Sequence, residues 1–372
     1  MRLDIDGRNC ELESGRSILD AVKKEGLDSI MLSDRPLAAQ IGGEVFNLRF
    51  TPKKDTQIHL LRYGEDMGRR VYERTLQFLF ILAMRKEFPR ARVCVRYSLG
   101  PGLFITVDGM EEPFNEEAAL KVETEMRRLV RLKLPLERRR ISIKEALSFY
   151  EQDGQADKAK LLKWRRFSYF DVYQIDGYMD YFYGEMAPDT SYADVFRVKY
   201  VHDGAVVLLM PRSDAPDVPS DYVDLPKLHA VFHQSDEWGK LMECATVNDL
   251  NTHIQNGTIR ELVRINEALH DRGYADIADK IVQKGAKAVL VAGPSSSGKT
   301  TSAHRISTQL LLQGCHPVML SLDDYYIDRD KIERDENGEI DLENINTLDI
   351  QRFGSDLAAL IRGEKEEVPR FD

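Results

Sequence analysis

The first sixty residues alternate short apolar stretches with turn residues. In "MRLDIDGRNCELESG" two short strands are expected to meet at Asp6-Gly7, a pair suited to a tight hairpin. Ser17 is placed to cap a helix running to about Lys24, and "LAAQIGGEVFNL" and "TQIHLL" supply further strands. The pattern then lengthens. "RTLQFLFILAMRKEFPRARVCVRYSLGPGLFITVD" reads as an apolar helix, a proline-ended turn and two strands. Further along, "TIRELVRINEALHDRGYADIADKIVQKG" places Leu262, Ile265, Leu269, Ile277 and Ile281 at helical spacings, with Gly273 dividing two helices and Gly285 ending the second.

Two later apolar runs, 288–292 and 318–322, have the β-branched, uninterrupted character of buried parallel strands. The first opens into "GPSSSGKTT", which satisfies G-x-x-x-x-G-K-[ST] with Gly293, Gly298, Lys299 and Thr300. Small residues at Pro294, Ser295, Ser296, Ser297 and Gly298 leave room for backbone N–H groups to face phosphate oxygens. Lys299 would reach the β- and γ-phosphates of ATP, and the Thr300 hydroxyl, followed by Thr301, would ligate Mg²⁺ at a helix start. Ala303, Ile306 and Leu310 give that helix its apolar stripe, and Gly314 ends it. The second run leads into Asp323 and Asp324, then Tyr325 and Tyr326. In a right-handed β-α-β unit these carboxylates emerge near the phosphate loop, where one can hold Mg²⁺ or accept a proton.

"GPSSSGKTT", "SLDDYY", "ENGEIDLENINTLD" and "VPRFD" together resemble the uridine kinase and phosphoribulokinase family of P-loop kinases. The resemblance implies transfer of the ATP γ-phosphoryl group to the 5′-hydroxyl of uridine or cytidine, a pyrimidine-salvage reaction. It places a catalytic base at Asp323 beside Lys299, and nucleoside contacts at Tyr326, Glu343 and Phe371. Glu343 stands where the family has an Asp, and Phe371 where it has a Tyr. The family continues beyond its "VPRFD"-like segment to a substrate-binding His and an arginine-rich lid, so an incomplete kinase domain with weak turnover is expected.

The strand order of the first sixty residues is a β-grasp layout and resembles the TGS domain of threonyl-tRNA synthetases. The following segment, with "ISIKEALSFYEQDGQADKAKLLKW" and "DGYMDYFYGEMAPDTSYADVFRVKYV", resembles their second additional domain, which edits mischarged tRNA. That domain carries H-x-x-x-H on a helix and a Cys and His further on. The corresponding positions here are Arg74, Phe78, Phe182 and Met186, which supply neither neutral nitrogen nor thiolate, so no zinc and no hydrolysis are expected. The expected organisation is multidomain α/β and α+β: a TGS-like β-grasp domain over 1–62, an editing-like α+β domain over 63–240, a helical connector over 241–285 and a P-loop domain over 286–372.

Two other features admit opposed readings. His229 and His233 have metal-ligand spacing on a helix, but Ala230 removes the glutamate of H-E-x-x-H and no third ligand is evident; a structural pair is expected. Arg127, Arg128, Arg131, Lys133, Arg138, Arg139 and Arg140 form the densest basic run; they suit either a solvated face paired with Glu123, Glu125 and Glu137, or an RNA phosphate patch.

Among 372 residues, 42% are hydrophobic, enough for several folded cores, while a net charge of −10 disfavours non-specific nucleic-acid binding by the whole molecule. Four scattered cysteines suit a reducing compartment, and no run is apolar enough for a membrane span, so a cytoplasmic location is expected. A nucleoside kinase using MgATP is the leading expectation. A phosphoribulokinase-like sugar kinase differs from it only in acceptor. The alternative is an RNA- or tRNA-associated binding protein switched by a nucleotide.

Overall fold

In the computed structural model, residues 2–202, 204–328, 332, 344–364 and 367–370 are described. The chain divides into two compact units, Met1–Asn251 and Thr252–Asp372.

The first unit opens with β1 (Arg2–Ile5) and β2 (Arg8–Glu11), an antiparallel pair whose turn has positive φ at both Asp6 and Gly7, as the Asp-Gly pair predicts. Helix α1 (Ile18–Lys24) follows, with Ser17 and Asp20 forming a reciprocal capping box. Strands β3 (Ala38–Ile41), β4 (Glu44–Phe46) and β5 (Thr56–Leu61) complete a five-stranded sheet in the order β2-β1-β5-β3-β4, with β1 and β5 parallel. Leu3, Ile5, Ile18, Val22, Ile58 and Leu60 fill the layer between this sheet and α1.

Helix α2 (Asp66–Glu87) packs on α3 (Glu116–Leu132) against a second sheet, which begins with β6 (Arg92–Leu99) and β7 (Gly102–Asp108). Next come β8 (Glu137–Ser142), α4 (Ile143–Gln152), α5 (Ala156–Leu162), β9 (Tyr169–Ile175) and β10 (Tyr178–Asp180). Strands β11 (Arg197–His202) and β12 (Ala205–Leu209) finish the second sheet in the order β11-β12-β7-β6, while β10-β9-β8 forms a third. The pair β13 (Pro211–Arg212) and β14 (Ala215–Pro219) precedes α6 (Pro226–Leu241) and α7 (Val247–Asn256). The second sheet is apolar on both faces: Leu103, Ile105, Val206 and Leu208 join the main core under α2 and α3, whereas Phe104, Val207 and Leu209 line the opposite face.

The second unit pairs α8 (Ile259–Lys284) with α9 (Lys299–Leu312) and ends in α10 (Ile350–Arg362). Three expectations are corrected here. Gly273 does not divide α8, which runs unbroken; a helical glycine costs only about 1 kcal/mol, and contacts between α8 and α9 offset it. The run 288–292 forms no strand, nor does 318–321, with Leu322 opening a short 3-10 turn. Leu290 is 86% exposed and Val318 64%: among the described residues nothing pairs with these runs, so the parallel sheet of a P-loop domain is not formed.

Candidate functional site

The four positions singled out by the editing-domain comparison come together around α2. Phe78 is fully buried, its ring centroid 5.4 Å from that of Phe182 and 5.9 Å from that of Tyr178, and Met186 is also fully buried in the same core. One turn earlier on α2, Arg74 donates from Nη1 to the Glu185 carbonyl at 2.5 Å, and its guanidinium lies over Gly184. The 184–187 segment is pinned from several sides. Ala187 N donates to Thr75 Oγ1 at 2.9 Å, Met186 N donates to the Tyr173 hydroxyl at 3.2 Å, and Asn47 Nδ2 donates to the Met186 carbonyl at 2.8 Å. Burial pushes the Arg74 pKa below and the neighbouring Glu73 carboxyl above their ordinary values. The arrangement is an aromatic and thioether core with one guanidinium at its rim. It can pack and bind, and the four side chains offer no zinc ligand set.

The basic run is largely paired internally. Arg127 binds Glu123 at 2.7 Å and Arg128 binds Glu125 at 2.6 Å, as the pattern predicts. Glu137 is not the partner of the rest. Arg138 and Arg140 converge on Asp171 of β9 at 3.0 and 2.8 Å, and Arg138 also meets Glu185 at 2.5 Å. Only the register of β8 on β9, which sets Arg140 opposite Asp171, reveals that partner.

His229 and His233 lie on α6 in an aromatic cluster. His229 Nδ1 is 2.8 Å from the Tyr97 hydroxyl, and its ring lies 4.8 Å from His202 on β11, a neighbour the sequence spacing does not suggest. Burial, then His202 and His233, lower the His229 pKa. Among the described residues no group of three or more His, Cys, Asp or Glu side chains is arranged to hold a metal.

In the second unit the phosphate-loop residues are contiguous and lead into α9. Ser296 and Gly298 both take positive φ, and a Cβ at Gly293 would come 2.7 Å from Ser297 Oγ, so the loop is tight where the motif requires glycine. Lys299 Nζ donates to the carbonyls of Gly293 and Pro294, each at 2.9 Å, folding back across the loop. The loop's backbone N–H groups, ammonium and Thr300 hydroxyl suit an anionic phosphate chain with a hard cation. Asp323 lies in the 3-10 turn Leu322–Tyr325, its N–H donating to Ser321 Oγ at 3.3 Å. Tyr326 is 37% exposed and bridges to Leu348, whereas Tyr325 is buried, donates to Asp356 at 3.1 Å and has its pKa pushed up to about 12 by that burial. Glu343 and Phe371 lie outside the described residues.

No family model matches the chain. Over 194 residues, 52% of this chain and 30% of the relative, it is 25% identical to "Threonine--tRNA ligase" of Clostridium kluyveri. It is 27% identical over 175 residues to the protein of that name from Carboxydothermus hydrogenoformans, covering 45% of this chain and 26% of the relative. A third, from Desulforamulus reducens, is 25% identical over 157 residues, 42% of this chain and 24% of the relative. The match thus spans under a third of the length of each of these curated relatives. The N-terminal resemblance is supported: the chain is similar to threonyl-tRNA ligases over about half its length. The nucleoside kinase expectation is overturned. These relatives are tRNA ligases, and the two strands needed to present Asp323 beside the phosphate loop are absent among the described residues. No helix among the described residues is long and apolar enough to cross a membrane.

Proposed function

We propose that this chain is an RNA- or tRNA-associated binding protein that responds to a nucleotide and does not hydrolyse mischarged tRNA. The observation that carries the reading is the partial match to threonyl-tRNA ligases together with the filling of positions 78, 182 and 186 by packed apolar side chains. A domain that keeps such a fold while its editing positions are core retains surface and shape as its useful properties. In this reading the β-grasp domain is 1–62, the editing-like domain 63–240 and the connector 241–285. The remaining residues, 286–372, carry the nucleotide loop. Residues 293–301 receive the phosphates, Lys299 neutralises their charge, and the Thr300 hydroxyl provides an oxygen ligand for Mg²⁺.

The test is tRNA binding by the whole chain over a range of salt concentrations, with and without MgATP, alongside deacylation of mischarged threonine tRNA. Salt-sensitive binding altered by MgATP, without deacylation, is the expected result. No tRNA binding at low salt overturns the reading, and turnover of mischarged tRNA overturns its non-hydrolytic part.

A further inference from the structure

Between α5 and β9 the chain reads "KWRRFSYF", residues 163–170. Large rings stay in solvent here: Phe167 is 60% exposed, and Trp164 and Tyr169 are each 37% exposed. The rings and cations form one connected belt. Phe167 and Tyr169 have centroids 5.8 Å apart, Arg140 lies 4.1 Å over Tyr169, and Arg165 lies 5.9 Å from Phe167 and 4.8 Å from Phe170. From Phe170 the belt continues through Tyr181, at 5.4 Å, to Tyr183, which is 5.8 Å further on and 75% exposed. Among the described residues no carboxylate pairs with Lys163, Arg165 or Arg166, in contrast to Arg138 and Arg140, which share Asp171.

Exposed rings at Phe167, Tyr169 and Tyr183, with Lys163, Arg165 and Arg166 in the same segment as the first two and unpaired by carboxylates among the described residues, match a chain whose flat, apolar bases alternate with phosphates. A duplex hides its base faces in the stack, so the rings select a single-stranded segment. A lipid surface is matched less well, because these rings sit on a turn and a strand end against guanidinium groups rather than along an amphipathic helix. We infer that this belt binds a single-stranded segment of RNA, with bases stacked on Phe167 and Tyr169 and phosphates held by Lys163 and Arg166. The inference rests on the proposed RNA-binding role and gives it a location.

The test uses the whole chain and a labelled single-stranded oligoribonucleotide of about ten nucleotides, within the range one such surface covers. The chain has two tryptophans, so a Trp238→Phe background leaves Trp164 as a native fluorescence reporter inside the belt. Oligonucleotide binding is expected to quench Trp164. Phe167→Ala with Tyr169→Ala should weaken binding about tenfold or more, and Lys163→Gln with Arg166→Gln should lower the salt slope by about 1.4, at about 0.7 per phosphate contact. Phe167→Leu, which keeps apolar bulk without a ring face, provides the same comparison if the double variant does not fold. Oligonucleotide binding unchanged in all these variants, with tRNA binding intact, overturns the belt and leaves the RNA-binding reading standing. Loss of all RNA binding by the unmodified chain removes the reading itself. Anionic phospholipid vesicles captured by the unmodified chain but not by the ring variants, with RNA binding unaffected, would assign the belt to membranes and overturn the inference.

Discussion

Replacing Phe78 by alanine tests whether this position, which the editing-domain resemblance matches to a histidine, is structural core. The ring is fully buried and packs on Phe182 and Tyr178 at 5.4 and 5.9 Å, with Met186 buried in the same cluster. Truncating a phenylalanine in such surroundings costs about 3–5 kcal/mol, made up of lost transfer energy and the cavity left behind. Aromatic pairs of this kind add about 0.5–1.5 kcal/mol each beyond area, which favours the upper part of that range. At about 2–4 °C per kcal/mol for a domain of this size, the melting transition of the N-terminal unit should fall by about 6–20 °C. Thermal unfolding followed by near-ultraviolet circular dichroism reads the shift, with urea unfolding as the second measure. A loss below about 1 kcal/mol would mean that the site holds solvent or relaxes freely. The reading of position 78 as packed core would then fail.

His59 is held between Glu65 at 2.6 Å and Asp6 at 2.9 Å, and these hydrogen bonds raise its pKa. A raised folded-state pKa gives stabilisation present in full below the unfolded value of about 6.5 and lost as pH rises through the folded value. Because the side chain is half exposed, the effect should stay under about 1 kcal/mol; melting temperatures from pH 5 to 9 should decline in the unmodified chain and flatten in His59→Gln. Lys299→Ala should weaken ATP binding about 10–100-fold, as for loss of charge-assisted hydrogen bonds of about 1.5–3 kcal/mol, and equal affinities by calorimetry would show that the loop is not the nucleotide site. Arg138→Gln should change RNA affinity less than about twofold, since Asp171 and Glu185 already compensate this charge, and a tenfold loss in a filter-binding assay would contradict that account.

Local chemistry made much of the first unit readable. Asp6-Gly7 and the Ser17 cap act within a few residues, and the structure places both as their chemistry dictates. The assembly of positions 74, 78, 182 and 186 was also legible, but only through resemblance, because more than a hundred residues separate its two halves. What escaped depends on partners distant in sequence. Asp171 is matched to Arg138 and Arg140 by strand register, and His202 reaches His229 only because α6 lies over the second sheet. The runs 288–292 and 318–322 mislead for the complementary reason. An apolar, β-branched composition is a readiness to pair, and pairing needs neighbouring strands that the described residues do not provide.

The backbone at Gly184, beside the Arg74 guanidinium, sets a constraint on inheritance. Gly184 holds φ at +98°, and a Cβ added there would come within 2.8 Å of the Arg74 guanidinium carbon. Swinging the arginine aside would break its bond to the Glu185 carbonyl. The backbone at 184 disfavours any larger residue whatever stands at 74, and the arginine, the flexible end of a long side chain, adds only the loss of that one bond. Glycine should therefore persist at 184 even in descendants that give up arginine at 74.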